Sequence, residues 1–351
     1  MTVLANARIV LPNAIVDGAI ILDGDTIQAV ERGRTIGDVD CGSDYLLPGL
    51  IDLHTDAIEK HYQPRPGVRR DPVFDALPFG TSYRNIERAE SLAPLLEGLE
   101  TARKAGALRV DHFLHARCEV TDPDTITLLE PYLGDPRLRF VSLMDHAPGQ
   151  RQSPDIAIYR TRHMATMNLS EAEMDEHITT ILRRSAELAP GIRARLVALA
   201  HEYGLPLSSH DDQTAAHVEQ AAAEGMVVSE FPTTMAAAKA ARSLGLANLM
   251  GGPNVVRGGS NYGNVSAEEL AKAGLLDVLA SDYVPASLLH AVFVLGGENG
   301  VADLPTATGW ATAAPAKAAG LADRGRIEAG MRADLIRVEM ASETPVVRAT
   351  Y

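Results

Sequence analysis

A chain of 351 residues, 46% hydrophobic and 22% charged, has the composition of a globular enzyme and is long enough for two average domains or one large α/β barrel with a small appendage. Its formal net charge of -14 excludes a sequence-independent nucleic-acid surface, which needs a basic stripe, and no apolar run approaches the span of a bilayer. Met1 to Leu22 carries no basic leader, and two cysteines, Cys41 and Cys118, are too few for a disulfide framework, so a cytoplasmic protein with plain buried thiols is expected.

From the N-terminus, Leu4–Val10, Ala19–Leu22 and Thr26–Val30 read as strands of a meander, with turns at Pro12-Asn13 and Asp23-Gly24-Asp25. Near the other end, 325–330, 333–338 and 345–350 read as strands too. A β-cluster split between both termini predicts one small β-domain from residues 1–45 and 323–351. The middle, 46–322, is then the catalytic part.

That middle begins with an apolar run, Tyr45 to Leu53, that ends in His54-Thr55-Asp56. It reads as a buried strand whose last same-side residues emerge at one rim. No helical pattern separates Asp56 from a candidate strand at Val73–Leu77. Helix then alternates with strand: helix 85–105, strand 110–119, strand 139–146, and a helix capped by Ser170 and Glu173 that places Met174, Ile178, Ile181 and Leu182 on one face. Strands follow at 205–210, 226–231, 246–251 and 276–282, separated by helices at 214–224, 235–244 and one capped by Ser266 and Glu269. Helices at 286–295 and 305–319 close the series. Eight parallel strands with helical crossovers make a (β/α)8 TIM-type barrel.

The predicted strand ends carry His54, Asp56, Glu119, His146, His210 and Asp282. Three imidazoles and three carboxylates match the needs of one or two divalent ions. His115 and Arg117 share the parity of Glu119 and should face the same side, as substrate contacts or as half-buried residues with no catalytic part. Asp211 and Asp212 read as caps of the helix at Thr214 or as further acidic groups beside His210.

Leu46-Leu47-Pro48-Gly49-Leu50-Ile51-Asp52-Leu53-His54 is similar to the first-strand signature of the amidohydrolase superfamily, and Gly330-Met331-Arg332-Ala333-Asp334-Leu335 to its closing sandwich signature. The resemblance covers nearly the whole chain and implies a metal-bearing barrel beside a sandwich. One departure is informative, because most members have His-x-His where this chain has His54-Thr55-Asp56. With Met144-Asp145-His146, Ser209-His210-Asp211-Asp212, Glu230-Phe231-Pro232, Gly252-Pro253-Asn254 and Ala280-Ser281-Asp282-Tyr283, it resembles the branch that serves the bacterial carbon-phosphorus lyase pathway.

That branch implies a hydrolase acting on a phosphoanhydride: alpha-D-ribose 1-methylphosphonate 5-triphosphate is cut to the 5-phosphate and pyrophosphate. For that chemistry His54, Asp56 and Asp282 are assigned to one ion and Glu119, His146 and His210 to the other, with Glu119 as the bridge. Zinc is expected, with manganese or magnesium as alternatives. Asp282 would take the proton of the attacking water, with Asp211 and Asp212 as substitutes. Lys60, His61, Arg65, Arg151 and Arg257 would meet the phosphates, Arg257 from a Gly-rich loop. The partner is then a small molecule, with no nucleic acid and no membrane, and self-association stays open. Two other readings remain: C-N hydrolysis, as by a deacetylase or cyclic amidase, and a non-catalytic binding subunit.

Overall fold

The computed structural model describes residues 1–56, 77–79, 86–108, 110–167, 169–260 and 263–351. The chain divides into two compact units, Met1–Thr55 with Asn248–Tyr351, and Asp56–Ala247. In chain order the strands are β1 (Thr2–Leu11), β2 (Ala14–Asp23), β3 (Thr26–Arg32), β4 (Val39–Asp40), β5 (Tyr45–Pro48), β6 (Leu77–Phe79), β7 (Leu114–Glu119), β8 (Leu138–Met144), β9 (Leu207–His210), β10 (Val228–Glu230), β11 (Ala247–Gly251), β12 (Val278–Ala280), β13 (Leu335–Ala341) and β14 (Thr344–Thr350).

The first unit holds a sheet of order β14-β13-β5-β1-β2-β3, with β4 beside β1. Strands from both termini therefore share one sheet, as the split β-cluster predicts. Leu4, Ile9, Ile20, Ile27, Leu46 and Leu335 form its apolar core, and each such buried side chain stabilises by about 1.5–3 kcal/mol. Leu4 and Ile9 are five residues apart, so strict alternation would send them to opposite faces. Asn6, with φ of 56°, puts a bulge in β1 that shifts the pairing with β2 between Leu4 and Ala7 and brings both into one core. The same unit contains a parallel pairing of Leu249, Met250 and Gly251 with Val278, Leu279 and Ala280.

Three expected elements of this unit differ. Tyr45–Pro48 pairs with β1 and β13, whereas 49–53 form no strand, so the apolar run before His54 is not one continuous barrel strand. Pro48 has no N–H to extend a ladder, and the Gly49 N–H donates to Asp334 O at 2.7 Å. Residues 325–330 form a bend, an irregular stretch and a turn rather than a strand, with Gly330 at φ of 88°. The helix expected over 305–319 is two, Leu304–Trp310 and Ala313–Ala318, because Thr312 at φ -136° and ψ -78° breaks the helical path.

The second unit is a parallel array of order β10-β9-β8-β7-β6 with helices between its strands. This TIM-like arrangement and the separate sheet domain are the two parts of the fold. Leu114, Ala116 and Cys118 of β7, Val141 and Leu143 of β8 and Leu207 of β9 pack with Leu129, Leu196, Val218 and Ala237 in one core. The expected helix over 85–105 is Ile86–Lys104. Ser170 and Glu173 form the expected capping box of helix Glu171–Glu187, with Met174, Ile178 and Ile181 buried. Leu182 does not join them and is 39% exposed. Helices Ile156–Met167 and Ala189–Glu202 were not expected. Of the candidate strand at 73–77, residues 73–76 lie outside the described residues, and Leu77–Phe79 runs parallel to β7. Both cysteines are free and buried. Among the described residues no helix is long and apolar enough to cross a membrane.

Candidate functional site

In the Asp56–Ala247 unit, period two puts His115, Arg117 and Glu119 of β7 on the face opposite the helix-packed core. The register pairs Arg117 with Ser142 of β8, Ser142 with Ser208 of β9, and His210 of β9 with Glu230 of β10. One face of the array is thus polar although it is buried. Such burial is unfavourable unless each group finds a partner.

Most of them do. Glu119 accepts the Thr121 hydroxyl on Oε1 at 2.8 Å and meets His146 Nδ1 with Oε2 at 2.7 Å. Fully buried Glu230 accepts the Ser208 hydroxyl on Oε1 at 2.7 Å and meets His210 Nδ1 with Oε2 at 2.9 Å. His115 Nε2 lies 3.4 Å from Glu230 Oε1. Each carboxylate thus grips an imidazole from behind, by Nδ1, which leaves Nε2 facing the other way.

What those Nε2 atoms face is Asp211. Its Oδ2 is 3.5 Å from His210 Nε2 and 3.8 Å from His146 Nε2, and the three residues each offer a ligand atom within 4.8 Å of the others. Asp211 is 5% exposed, and its buried Oδ2 has no hydrogen-bond partner. Two imidazoles and a carboxylate at this spacing suit a borderline divalent ion such as zinc. The orphaned oxygen is the observation that shows the fit.

The electrostatics agree in part. Burial pushes the His210 pKa below its ordinary 6.5 despite Asp211 and Glu230, which favours the neutral, ligating form. At His146 burial also acts downward, but the hydrogen bond and charge of Glu119, with the charge of Asp211, outweigh it and raise the pKa.

The cationic residues are tied to carboxylates. Arg117 donates from Nη1 to Asp56 Oδ1 at 2.8 Å. Arg151 is buried and donates from Nη1 to Asp212 Oδ1 at 2.8 Å and to His210 O at 3.0 Å. Asp212 also accepts the hydroxyls of Ser209 and, at 2.8 Å, Ser229. Neither Asp211 nor Asp212 caps the next helix; Thr214 does, accepting from the His217 N–H.

In the other unit, buried His54 offers its carbonyl to the Asp282 N–H at 2.9 Å, and Thr55 forms a single parallel bridge with Asp282. The Asp52 carboxylate accepts the Ser281 N–H at 2.9 Å, and the Ser281 hydroxyl bonds that of Thr55 at 2.9 Å. Arg257 ends a short helix, Gly252–Arg257, instead of lying in the expected Gly-rich loop. It is exposed and donates to the Tyr283 hydroxyl at 2.5 Å and to Gly259 O at 2.8 Å. Lys60, His61 and Arg65 lie outside the described residues.

The expected residues therefore fall in two groups: Asp56, His115, Arg117, Glu119, His146, Arg151 and His210 in one unit, and His54, Asp282 and Arg257 in the other. Two residues that were not placed among the ligands or substrate contacts, Glu230 and Asp211, are central to the first group. Glu230 carries the signal that marked Glu119, a Glu at the end of a strand of the alternating series. Backbone strain marks three turns here: Asp211, Phe231 and Asp282 have φ of 54°, 52° and 51° just after β9, β10 and β12. Non-glycine residues held there cluster at functional sites.

A profile of the amidohydrolase family matches residues 157–348. The chain is 39% identical over 355 residues to the alpha-D-ribose 1-methylphosphonate 5-triphosphate diphosphatase of Escherichia coli (strain K12), with 95% of this chain and 94% of that protein covered. Among solved structures, an N-acetylglucosamine-6-phosphate deacetylase from Pasteurella multocida matches with a TM-score of 0.58 at 14% identity, over 100% of this chain and 97% of that one. A dihydropyrimidinase from Brevibacillus agri matches with a TM-score of 0.53 at 13% identity, over 96% and 86%. At such identities the structural likeness speaks for the fold alone.

Proposed function

Since this chain belongs to the amidohydrolase family, we propose that it is a metal-dependent diphosphohydrolase that cleaves alpha-D-ribose 1-methylphosphonate 5-triphosphate to the 5-phosphate and pyrophosphate in phosphonate catabolism. The observation that carries this reading is the 39% identity, over 95% of the chain, to a relative named for that activity. The buried group around His146 and His210 supports metal dependence independently of the name. A full (β/α)8 barrel over 46–322, a sandwich from 1–45 and 323–351 and a cytoplasmic location belong to the same proposal.

The ligand sets assigned from the sequence are His54, Asp56 and Asp282, and Glu119, His146 and His210. Zinc suits the imidazole content better than magnesium. A bound divalent ion would bring the pKa of a water toward neutrality and offset charge on phosphate oxygens. The protein's own contribution is orientation and proton handling. Glu119 and Glu230 hold the His146 and His210 rings by Nδ1. Asp282 takes the proton of the attacking water. Arg257, Arg151, Lys60 and Arg65 meet the phosphates, and His115 and Arg117 contact the substrate.

Phosphorus NMR of metal-loaded protein with ribose 1-methylphosphonate 5-triphosphate tests this. Equal amounts of pyrophosphate and 5-phosphate, abolished by a chelator, are expected. Orthophosphate with a 5-diphosphate, or an unchanged triphosphate, would reject the assignment.

A further inference from the structure

We propose that Asp211 is itself a metal ligand, completing a three-donor site with His146 Nε2 and His210 Nε2, and that Glu119 and Glu230 orient the two imidazoles from behind. This rests on the metal-dependent reading above and changes its ligand set. Glu119 moves from ligand to positioning residue.

Distance is the first argument. At 3.5 and 3.8 Å, Asp211 Oδ2 is too far from the two Nε2 atoms for hydrogen bonds, which need about 3.2 Å or less. Donors of a tetrahedral zinc site with bonds of about 2.1 Å stand roughly 3.4 Å apart. The spacing is that of groups sharing an ion.

Satisfaction of the neighbouring carboxylates is the second. Asp212, the next residue, is bonded by Arg151, Ser209 and Ser229. Glu230 is bonded by Ser208 and His210. Both oxygens of Glu119 are engaged, one by the Thr121 hydroxyl and the other by His146 Nδ1. Asp211 Oδ2 is the exception, buried with no hydrogen bond and aimed between two imidazoles. A carboxylate in that state calls for a cation.

Backbone geometry is the third. Asp211 has φ of 54°, and its N–H donates to Glu230 O at 2.9 Å, which anchors the residue to β10. The turn that lifts the carboxylate back over His210 is one that L-residues rarely adopt. Glu119 and Glu230 meet His146 and His210 at Nδ1, and it is Nε2 of each ring that faces Asp211 Oδ2.

The test is cobalt titration of metal-depleted, full-length wild type, D211N and E119Q, read by visible absorption and by ions bound per chain, with thermal melting of each. D211N should bind one cobalt fewer per chain, or bind it at least ~100-fold more weakly, with the corresponding absorption lost. E119Q should retain the ion and its absorption with affinity lowered about 10–100-fold. Without metal, D211N should melt at or above wild type, because an unpaired buried charge has been removed; a merely structural Asp211 requires the opposite. D211N binding and absorbing like wild type, or melting well below it, would overturn the Asp211 assignment alone. Wild type that binds neither cobalt nor zinc would overturn the metal-dependent reading and this inference with it.

Discussion

The sheet shared by the two termini and the polar face of the parallel array bury their side chains for different ends. In the sheet, the buried set is Leu4, Ile9, Ile20, Leu22, Ile27 and Leu46, apolar groups that need only close packing. On the array, the buried set includes His115, Glu119, His210, Asp211 and Glu230, each of which loses hydration and needs a specific partner. A fold gains little from placing ionisable groups there. Packing explains the first region, and only chemistry explains the second.

Substitutions can break this contrast or sharpen it. The largest effect is expected at Asp282, whose side chain is assigned the proton of the attacking water. Asp282→Asn should lower kcat by about 10²–10⁴-fold with melting nearly unchanged; near-normal turnover rules out that role. Next, Ile20→Ala in the sheet should cost about 2–5 kcal/mol of stability in chemical denaturation. It should leave metal stoichiometry alone, and parallel loss of metal would erase the distinction between the regions.

Glu230→Gln keeps the volume but weakens the grip on His210 Nδ1. Metal affinity, measured by competition with a chelating dye, should fall about 10–100-fold. The smallest change is at Asp303, an exposed carboxylate that caps helix Leu304–Trp310 by accepting the Thr306 N–H at 2.8 Å. Asp303→Ala should cost about 1 kcal/mol near neutral pH. The Thr306 hydrogen bonds hold this carboxyl below its ordinary 3.8. The stabilisation is therefore present above about 3.8 and lost as pH falls through the lower folded value, so variant and wild type should converge in acid. Denaturation across pH checks it, and a difference that persists in strong acid contradicts the cap.

Much of this was legible because it is local. The capping boxes at Ser170 and Ser266 involve residues three apart and form as read. The alternation of β7 put His115, Arg117 and Glu119 on one face in sequence and in structure. What escaped depends on partners distant in sequence. Tyr45–Pro48 has the pattern of a buried strand in any sheet, and only pairing with β1 and β13 decides which. Asp211 reads as a cap because Thr214 is three residues on, and the positive φ that turns its carboxylate toward His146 leaves no mark in composition. Arg151 reads as a free cation until Asp212 is placed against it.

The central claim is that the buried polar face of the parallel array is a metal site that makes the protein a hydrolase. The most direct measurement is pyrophosphate release plotted against metal content, by elemental analysis, as chelated protein is reloaded with zinc. The account predicts turnover that rises in proportion to bound zinc from essentially nothing. Full turnover by protein stripped of metal would contradict it.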